Sequence, residues 1–128
     1  MKKSVLLCLA LLLLSGCGAP RNTCEQYASE QELQGRGAYT PGDYRATAWG
    51  FGGKIVVEAQ FSETDLIYLR IEGTEESEKG GRAIRRLCGD ILEAQSPEVD
   101  AVSGATMTSK AIIKAAKSCF SQAEADDS

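Results

Sequence analysis

Residues 100–109 have the sequence Asp-Ala-Val-Ser-Gly-Ala-Thr-Met-Thr-Ser, a run of small and hydroxyl side chains. An amphipathic helix is predicted directly after it, because apolar residues recur there at helical spacing, at Ile112, Ala115, Ala116, Cys119 and Phe120. We expect Thr108 or Ser109 to cap this helix. A helix N-terminus has unpaired N–H groups and the positive end of the helix dipole, so it favours a bound phosphate beside the hydroxyl of Thr106.

A plain turn and cap is the simpler interpretation of Ser-Gly-Ala-Thr alone. The longer string, Asp-x-Val-Ser-Gly-Ala-Thr-x-Thr-Ser followed by Lys-Ala-Ile, resembles the flavinylation motif of the FMN-binding domain family. That family includes the C subunit of the sodium-translocating NADH:quinone oxidoreductase and the G subunit of Rnf complexes. The resemblance implies that FMN is joined through its phosphate to the hydroxyl of Thr106.

The same resemblance assigns roles to the neighbours of Thr106. It implies a separate flavin transferase as partner, which the small residues Ser103, Gly104 and Ala105 would allow to approach. Thr108 and Ser109 would donate hydroxyl or N–H groups to the phosphate, a role compatible with plain capping.

Three strands are predicted upstream, where apolar and polar residues alternate over Asp43–Trp49, Lys54–Phe61 and Asp65–Glu72. The turns between them are short, which indicates an antiparallel meander. A second amphipathic helix is predicted over residues 84–92, and a polar, Glu-rich loop over 73–81. The expected fold is α+β, a small antiparallel sheet of three or more strands packed by two helices.

Beyond the motif, the resemblance extends from Pro41 to about Phe120 and suggests further flavin contacts. Trp49 and Phe51 flank a glycine-rich turn and could stack on the flavin ring; we favour packing, which is usual for aromatic residues in strands. Glu75 lies where many members of the family carry Glu-Thr-Pro-Gly beside the flavin. The extra negative charge of Glu-Glu-Ser-Glu there is expected to lower the flavin potential.

The N-terminus has a positively charged start and a short apolar run at residues 5–14, which predicts a signal peptide over 1–16. It ends in Leu-Ser-Gly-Cys, which resembles a lipobox and implies cleavage before Cys17 and lipidation of its sulfur. An ordinary signal peptide with an incidental cysteine is the alternative. We expect a flexible tether over 17–38, an FMN-binding domain over 39–121 and a disordered acidic tail over 122–128.

Composition excludes several functions. The net charge of −4 becomes −6 once Lys2 and Lys3 leave with the signal, and no basic cluster is present, so nucleic acid is not an expected partner. The absence of His excludes His-based triads and zinc sites, and no CxxC spacing suggests a metal. Cys88 and Cys119 lie on predicted apolar helix faces, either as core thiols or as a disulfide between the helices.

Two functions follow from these features. The first is a lipid-anchored flavoprotein on the extracytoplasmic face of the cell membrane, which transfers electrons between an unidentified donor and acceptor through covalent FMN. The second is a flavin-free envelope lipoprotein that uses the same fold as an interaction module. We expect an electron carrier rather than a free-standing enzyme, because no general base lies in a recognisable substrate site.

Overall fold

The computed structural model of the protein describes residues 23–73 and 78–124. The predicted signal peptide, Cys17 and Glu75 lie outside these ranges. The three predicted strands are confirmed as β2 (Gly42–Trp49), β3 (Lys54–Phe61) and β4 (Leu66–Gly73), paired as an antiparallel meander. Alternation places one face of each strand against the core, as the sequence predicts.

A fourth strand, β1 (Thr23–Tyr27), pairs antiparallel with β4 and gives the sheet order β1-β4-β3-β2. The prediction of a flexible tether over 17–38 is therefore wrong for residues 23–27. As an edge strand, β1 is held by backbone pairing with one neighbour. Its side chains are half-buried or exposed, so it lacks the apolar alternation that revealed the other strands.

Two helices complete the α+β fold, α1 (Glu78–Ala94) and α2 (Thr106–Glu124). The predicted loop over 73–81 is wrong for residues 78–81, which form the first turn of α1. The predicted tail is wrong for residues 122–124, which continue α2, while 125–128 lie outside the described residues. Ala123 is buried, and its carbonyl accepts a hydrogen bond of 2.9 Å from the N–H of Thr40.

Both helices pack on one face of the sheet and bury a single apolar core. We call the end of the sheet at the β3–β4 turn, residues 62–65, the closed end. There Tyr39, Tyr44 and Phe120 surround Phe61, with ring centroids between 4.6 and 5.8 Å from that of Phe61. We call the other end, at the β2–β3 turn of residues 50–53, the groove end.

The structure decides between the two interpretations of Cys88 and Cys119, core thiols or a disulfide. Cys24, Cys88 and Cys119 are all free thiols, so Cys88 and Cys119 are core residues and the disulfide between them is wrong. The thiol of Cys88 faces the carbonyl of Leu69 at 3.6 Å, whereas that of Cys119 faces Val57 at 3.7 Å. Burial raises the pKa of both thiols, with a further increase at Cys88 from its neighbour Cys24.

The sheet face away from the helices carries a row of alternating charges that runs across all four strands. Arg70 lies between Glu25 and Glu58, with nitrogen–oxygen distances of 3.9 and 3.3 Å. Glu58 also contacts Arg45 at 3.7 Å. These partly exposed pairs neutralise one another on a face that the described helices do not cover.

Candidate functional site

The segment before α2 is a tight turn that requires its glycine. The N–H of Ala105 donates to the carbonyl of Val102 at 3.0 Å, and Gly104 has a φ of +86°. Gly104 is the third residue of the turn, and Ser103, the second, has no positive φ. This combination is typical of a type II turn. The hydroxyl of Ser109 accepts a hydrogen bond of 2.9 Å from the N–H of Val102 and ties this turn to the helix.

Helix α2 begins earlier than the apolar pattern indicated. The N–H of Ser109 donates to the carbonyl of Ala105 at 2.9 Å, which makes Ala105 the N-cap and Thr106 the first helical residue. The prediction that Thr108 or Ser109 caps the helix is therefore wrong. Ser109 is fully buried, and its N–H and hydroxyl oxygen both bond to the backbone of the turn, so we assign it a positioning role; its contact with phosphate stays a prediction.

Thr106 is exposed and lines an open groove of about 420 Å³ at the groove end. This volume lies within the usual range of small-molecule sites. Three short segments meet in the groove: the β2–β3 turn, the first turn of α1 and the start of α2. The groove is lined by Phe51, Lys79, Gly104, Ala105, Thr106, Met107 and Thr108.

The two aromatic residues of the glycine-rich turn are separated by the structure. Phe51 is 69% exposed and lines the groove with Thr106, whereas Trp49 is 79% exposed and does not line it. The packing interpretation that we favoured is thus wrong for both residues. Of the three predicted flavin contacts, only Phe51 lines the groove with Thr106; Trp49 does not line it, and Glu75 is outside the described residues.

Met107 and Lys79 are the groove residues that the sequence analysis did not single out, and Lys79 is the charged one of the two. Its Cδ lies 3.8 Å from the position that a Cβ on Gly104 would occupy. Among the described residues that line the groove, Lys79 is the only charged one, and it forms no ion pair with any residue in 23–73 or 78–124. A cation in the first turn of a helix opposes the helix dipole, so Lys79 does not serve the stability of α1.

These groups match the chemistry of a phosphate ester with a flat apolar ring. The exposed hydroxyl of Thr106, the N-terminal N–H groups of α2 and the ammonium of Lys79 suit the phosphate. The faces of Phe51 and Met107 suit the ring. Within the described ranges, no three His, Cys, Asp or Glu side chains cluster as a metal site would require.

The sequence matches the model of the FMN-binding domain over residues 50–121, more than half of the chain. The chain belongs to the FMN-binding domain family. The match begins at the glycine-rich turn and includes every residue that lines the groove. For FMN, the residues present therefore fit.

Two relatives of the chain are much longer proteins. The chain is 30% identical over 76 residues to the NADH:acrylate oxidoreductase of Vibrio harveyi. The aligned region covers 59% of this chain and 8% of that protein. The chain is also 33% identical over 82 residues to an uncharacterized protein of Treponema pallidum. That aligned region covers 63% of this chain and 23% of the relative. The chain thus spans less than a quarter of the length of either relative.

Neither α1 nor α2, the helices of the described part of the chain, has the length and apolarity needed to cross a membrane.

Proposed function

We propose that this protein is a lipid-anchored, extracytoplasmic electron-transfer flavoprotein that carries FMN as a phosphodiester on Thr106. The observation that carries the proposal is the placement of Thr106, whose side chain is exposed at the first position of α2 in a groove with Lys79 and Phe51. Bound FMN would supply reversible one- and two-electron transfer. The named oxidoreductase activity of the Vibrio harveyi relative supports a redox role for a domain of this family.

Attachment requires an activated FMN donor, which we take to be FAD delivered by a flavin transferase. The hydroxyl oxygen of Thr106 forms a bond to the phosphorus on the FMN side of the FAD pyrophosphate. The bond between that phosphorus and the bridging oxygen breaks, AMP leaves, and the hydroxyl proton passes to a base of the transferase. No electrons are exchanged in this step, so Thr106 is a substrate of the transferase.

Other groups of the groove would leave room for the phosphate and attract it. The positive φ of Gly104 turns the chain just before the helix, and the lack of a side chain there leaves room beside Lys79. The first-turn N–H groups of a helix lack intrahelical acceptors and favour an anion at this position. Thr108 also lines the groove and belongs to this first turn of α2.

Covalent attachment is tested by coexpression of the full chain with a competent flavin transferase. We expect one fluorescent band in a denaturing gel, a mass increase equal to one phosphoester-linked FMN, and complete loss of both in Thr106→Val. Thr47→Val is the matched control, because Thr47 is an exposed threonine of β2 that does not line the groove. Covalent flavin that persists in Thr106→Val would refute the attachment site.

The same experiment separates the flavoprotein from the flavin-free interaction module. A correctly exported wild-type chain that never acquires flavin, despite a transferase that modifies another substrate, would favour the module. Ser103→Ala should lower the yield only partly, since Ser103 is exposed in the turn and its hydroxyl is not the proposed acceptor.

Anchoring through Cys17 is tested separately. The lipobox-like sequence at residues 14–17 motivates it. Cys17→Ser should leave an unprocessed precursor or release the protein from membranes, and mass spectrometry of the wild type should find a diacylglyceryl group on the new N-terminus. Processed, membrane-bound Cys17→Ser protein would argue against this anchor.

A further inference from the structure

The groove end of the domain is also the end at which β1 begins. Thr23, the first described residue, pairs with Glu72 near the end of β4, and Glu72 pairs with Val56 near the start of β3. Val56 pairs in turn with Thr47, two residues before Trp49. The chain therefore enters the sheet at the end that carries the groove, while Tyr27 finishes β1 toward the closed end.

The sequence before β1 limits how far this end can lie from the predicted anchor. Cys17 and Thr23 are six residues apart, which allows at most about 20 Å between their Cα atoms in a fully extended chain. The other end of β1 lies about 14 Å farther along the strand, at Tyr27. The groove end is therefore joined to a lipid-bound Cys17 by the shorter stretch of chain, six residues to Thr23 against ten to Tyr27.

Exposed apolar side chains are concentrated at the same end. Trp49 is 79% exposed, Phe51 69% and Met107 60%, and they account for three of the five exposed large hydrophobic residues in the described part of the chain. The aromatic cluster of the closed end is packed internally instead. Trp49 does not line the groove, so the contact with flavin proposed for Phe51 leaves its exposure unexplained.

We infer that the groove end rests on the lipid surface, with Trp49 in the interfacial region of the bilayer. Tryptophan favours this region, because its ring is apolar and its N–H can remain hydrated. The inference rests on the proposed lipid anchor and adds an orientation to it. A flavin on Thr106 would then face the membrane, within reach of a redox partner held in the membrane plane.

Trp49 is the only tryptophan of the chain, so its fluorescence reports on this end alone. The full lipidated protein, purified and reconstituted on phosphatidylcholine vesicles, is compared with and without bromine-labelled acyl chains. The control is the lipidated double variant Trp49→Phe/Tyr27→Trp, which moves the probe to an exposed position at the other end of β1. We expect the bromolipids to quench the wild type several-fold more than this variant, with a blue-shifted emission only in the wild type.

Every outcome bears on the inference. Equal quenching of the two proteins, or none in an anchored wild type, would overturn it, and the second result would favour a protein partner at the groove end. Mass spectrometry of the same samples shows whether Cys17 carries lipid. A chain without that lipid would overturn both the anchor and the orientation, whereas lipidated protein without quenching would overturn the orientation alone.

Discussion

Aromatic residues that face the helices at the closed end are packed together, whereas those of the groove end are exposed. At the closed end, Phe61 is 2% exposed, and its ring centroid lies 5.0 Å from that of Phe120. At the groove end, Trp49 and Phe51 are mostly exposed, on either side of a glycine. The helices and the segment that contains Tyr39 cover the first group, whereas no described element covers the second.

This difference indicates that one end of the domain serves mainly its stability and the other end mainly its function. Stability resides in the closed end and the helix-facing core, where burial of each large apolar side chain contributes about 1.5–3 kcal/mol. The groove end is left with exposed apolar surface and a cationic side chain, features that do not stabilise the isolated domain. Replacing an aromatic side chain should therefore lower stability at the closed end and leave it nearly unchanged at the groove end.

The largest effect is expected at the closed end. Phe61→Ala should lower the free energy of unfolding by about 3–5 kcal/mol, because it removes a buried ring from a cluster that cannot collapse fully. Phe51→Ala should change it by no more than about 0.5 kcal/mol, since this ring is exposed. Urea unfolding of the flavin-free chain measures both values. Equal losses would contradict the separation of the two ends.

The turn before α2 gives the next effect. Gly104→Ala should cost about 1–2 kcal/mol, because an L-residue is strained at a φ of +86°, and should also slow flavin attachment. Gly89→Ala is the control: Gly89 lies within α1, and an added Cβ would meet only the side chain of Gln26, at 3.8 Å. It should be neutral or stabilising. A Gly104→Ala protein as stable as Gly89→Ala would contradict the type II turn.

Charge in the groove is expected to matter for attachment and not for folding. Lys79→Met keeps an unbranched side chain of similar length but removes its charge, so it should slow flavin loading about tenfold through a lost charge-assisted contact with phosphate. Lys79→Arg should restore most of the rate. Lys110→Met, at an exposed position of α2 that does not line the groove, should load normally. A time course of in-gel fluorescence distinguishes these variants.

The smallest effect concerns pH and the closed end. Burial alone would raise the pKa of Asp65, but hydrogen bonds from the N–H of Gly35 at 2.9 Å and the hydroxyl of Thr64 at 2.7 Å outweigh it and lower the pKa. The folded state thus favours the carboxylate, which stabilises the protein above the unfolded pKa of about 3.9. This contribution is lost as the pH falls through the lower folded value.

Asp65→Asn tests that contribution. It should reduce the free energy of unfolding by about 1 kcal/mol at pH 7 and flatten its decline between about pH 5 and the acid limit. Chemical unfolding measured across this pH range provides the comparison. A variant with the same acid sensitivity as the wild type would assign the loss to other carboxyl groups.

The sequence predicted the elements that bury an alternating face. The strands β2, β3 and β4 and the two helices follow from such patterns, and Thr106 follows from the family motif. Strand β1 was missed because an edge strand is held by backbone pairing, and only Cys24 and Gln26 of Thr23–Tyr27 turn toward the helix side. The first turn of α1 was missed because its buried residues, Gly80 and Gly81, have no apolar side chain and so do not extend the apolar pattern of the helix.

The site was predicted less completely than the fold. Hydroxyl residues near a helix start suggest caps, yet the backbone of Ala105 accepts the first helical bond and Ser109 is buried beneath the turn. Nothing in the sequence separates the exposed Phe51 from a packed strand aromatic, because exposure at a strand end depends on what tertiary packing leaves uncovered. Lys79 reaches the groove only through the way α1 approaches the turn at Gly104.

The row of alternating charges on the outer sheet face has a consequence for many copies confined to one surface. Lipid anchoring would concentrate the domains in two dimensions, where a complementary face on each copy would drive clustering. In this row, each arginine is already paired with a glutamate of its own sheet, as Arg45 is with Glu58. Copies that meet face to face therefore find few unpaired charges, so this row of charges would not itself hold two anchored copies together.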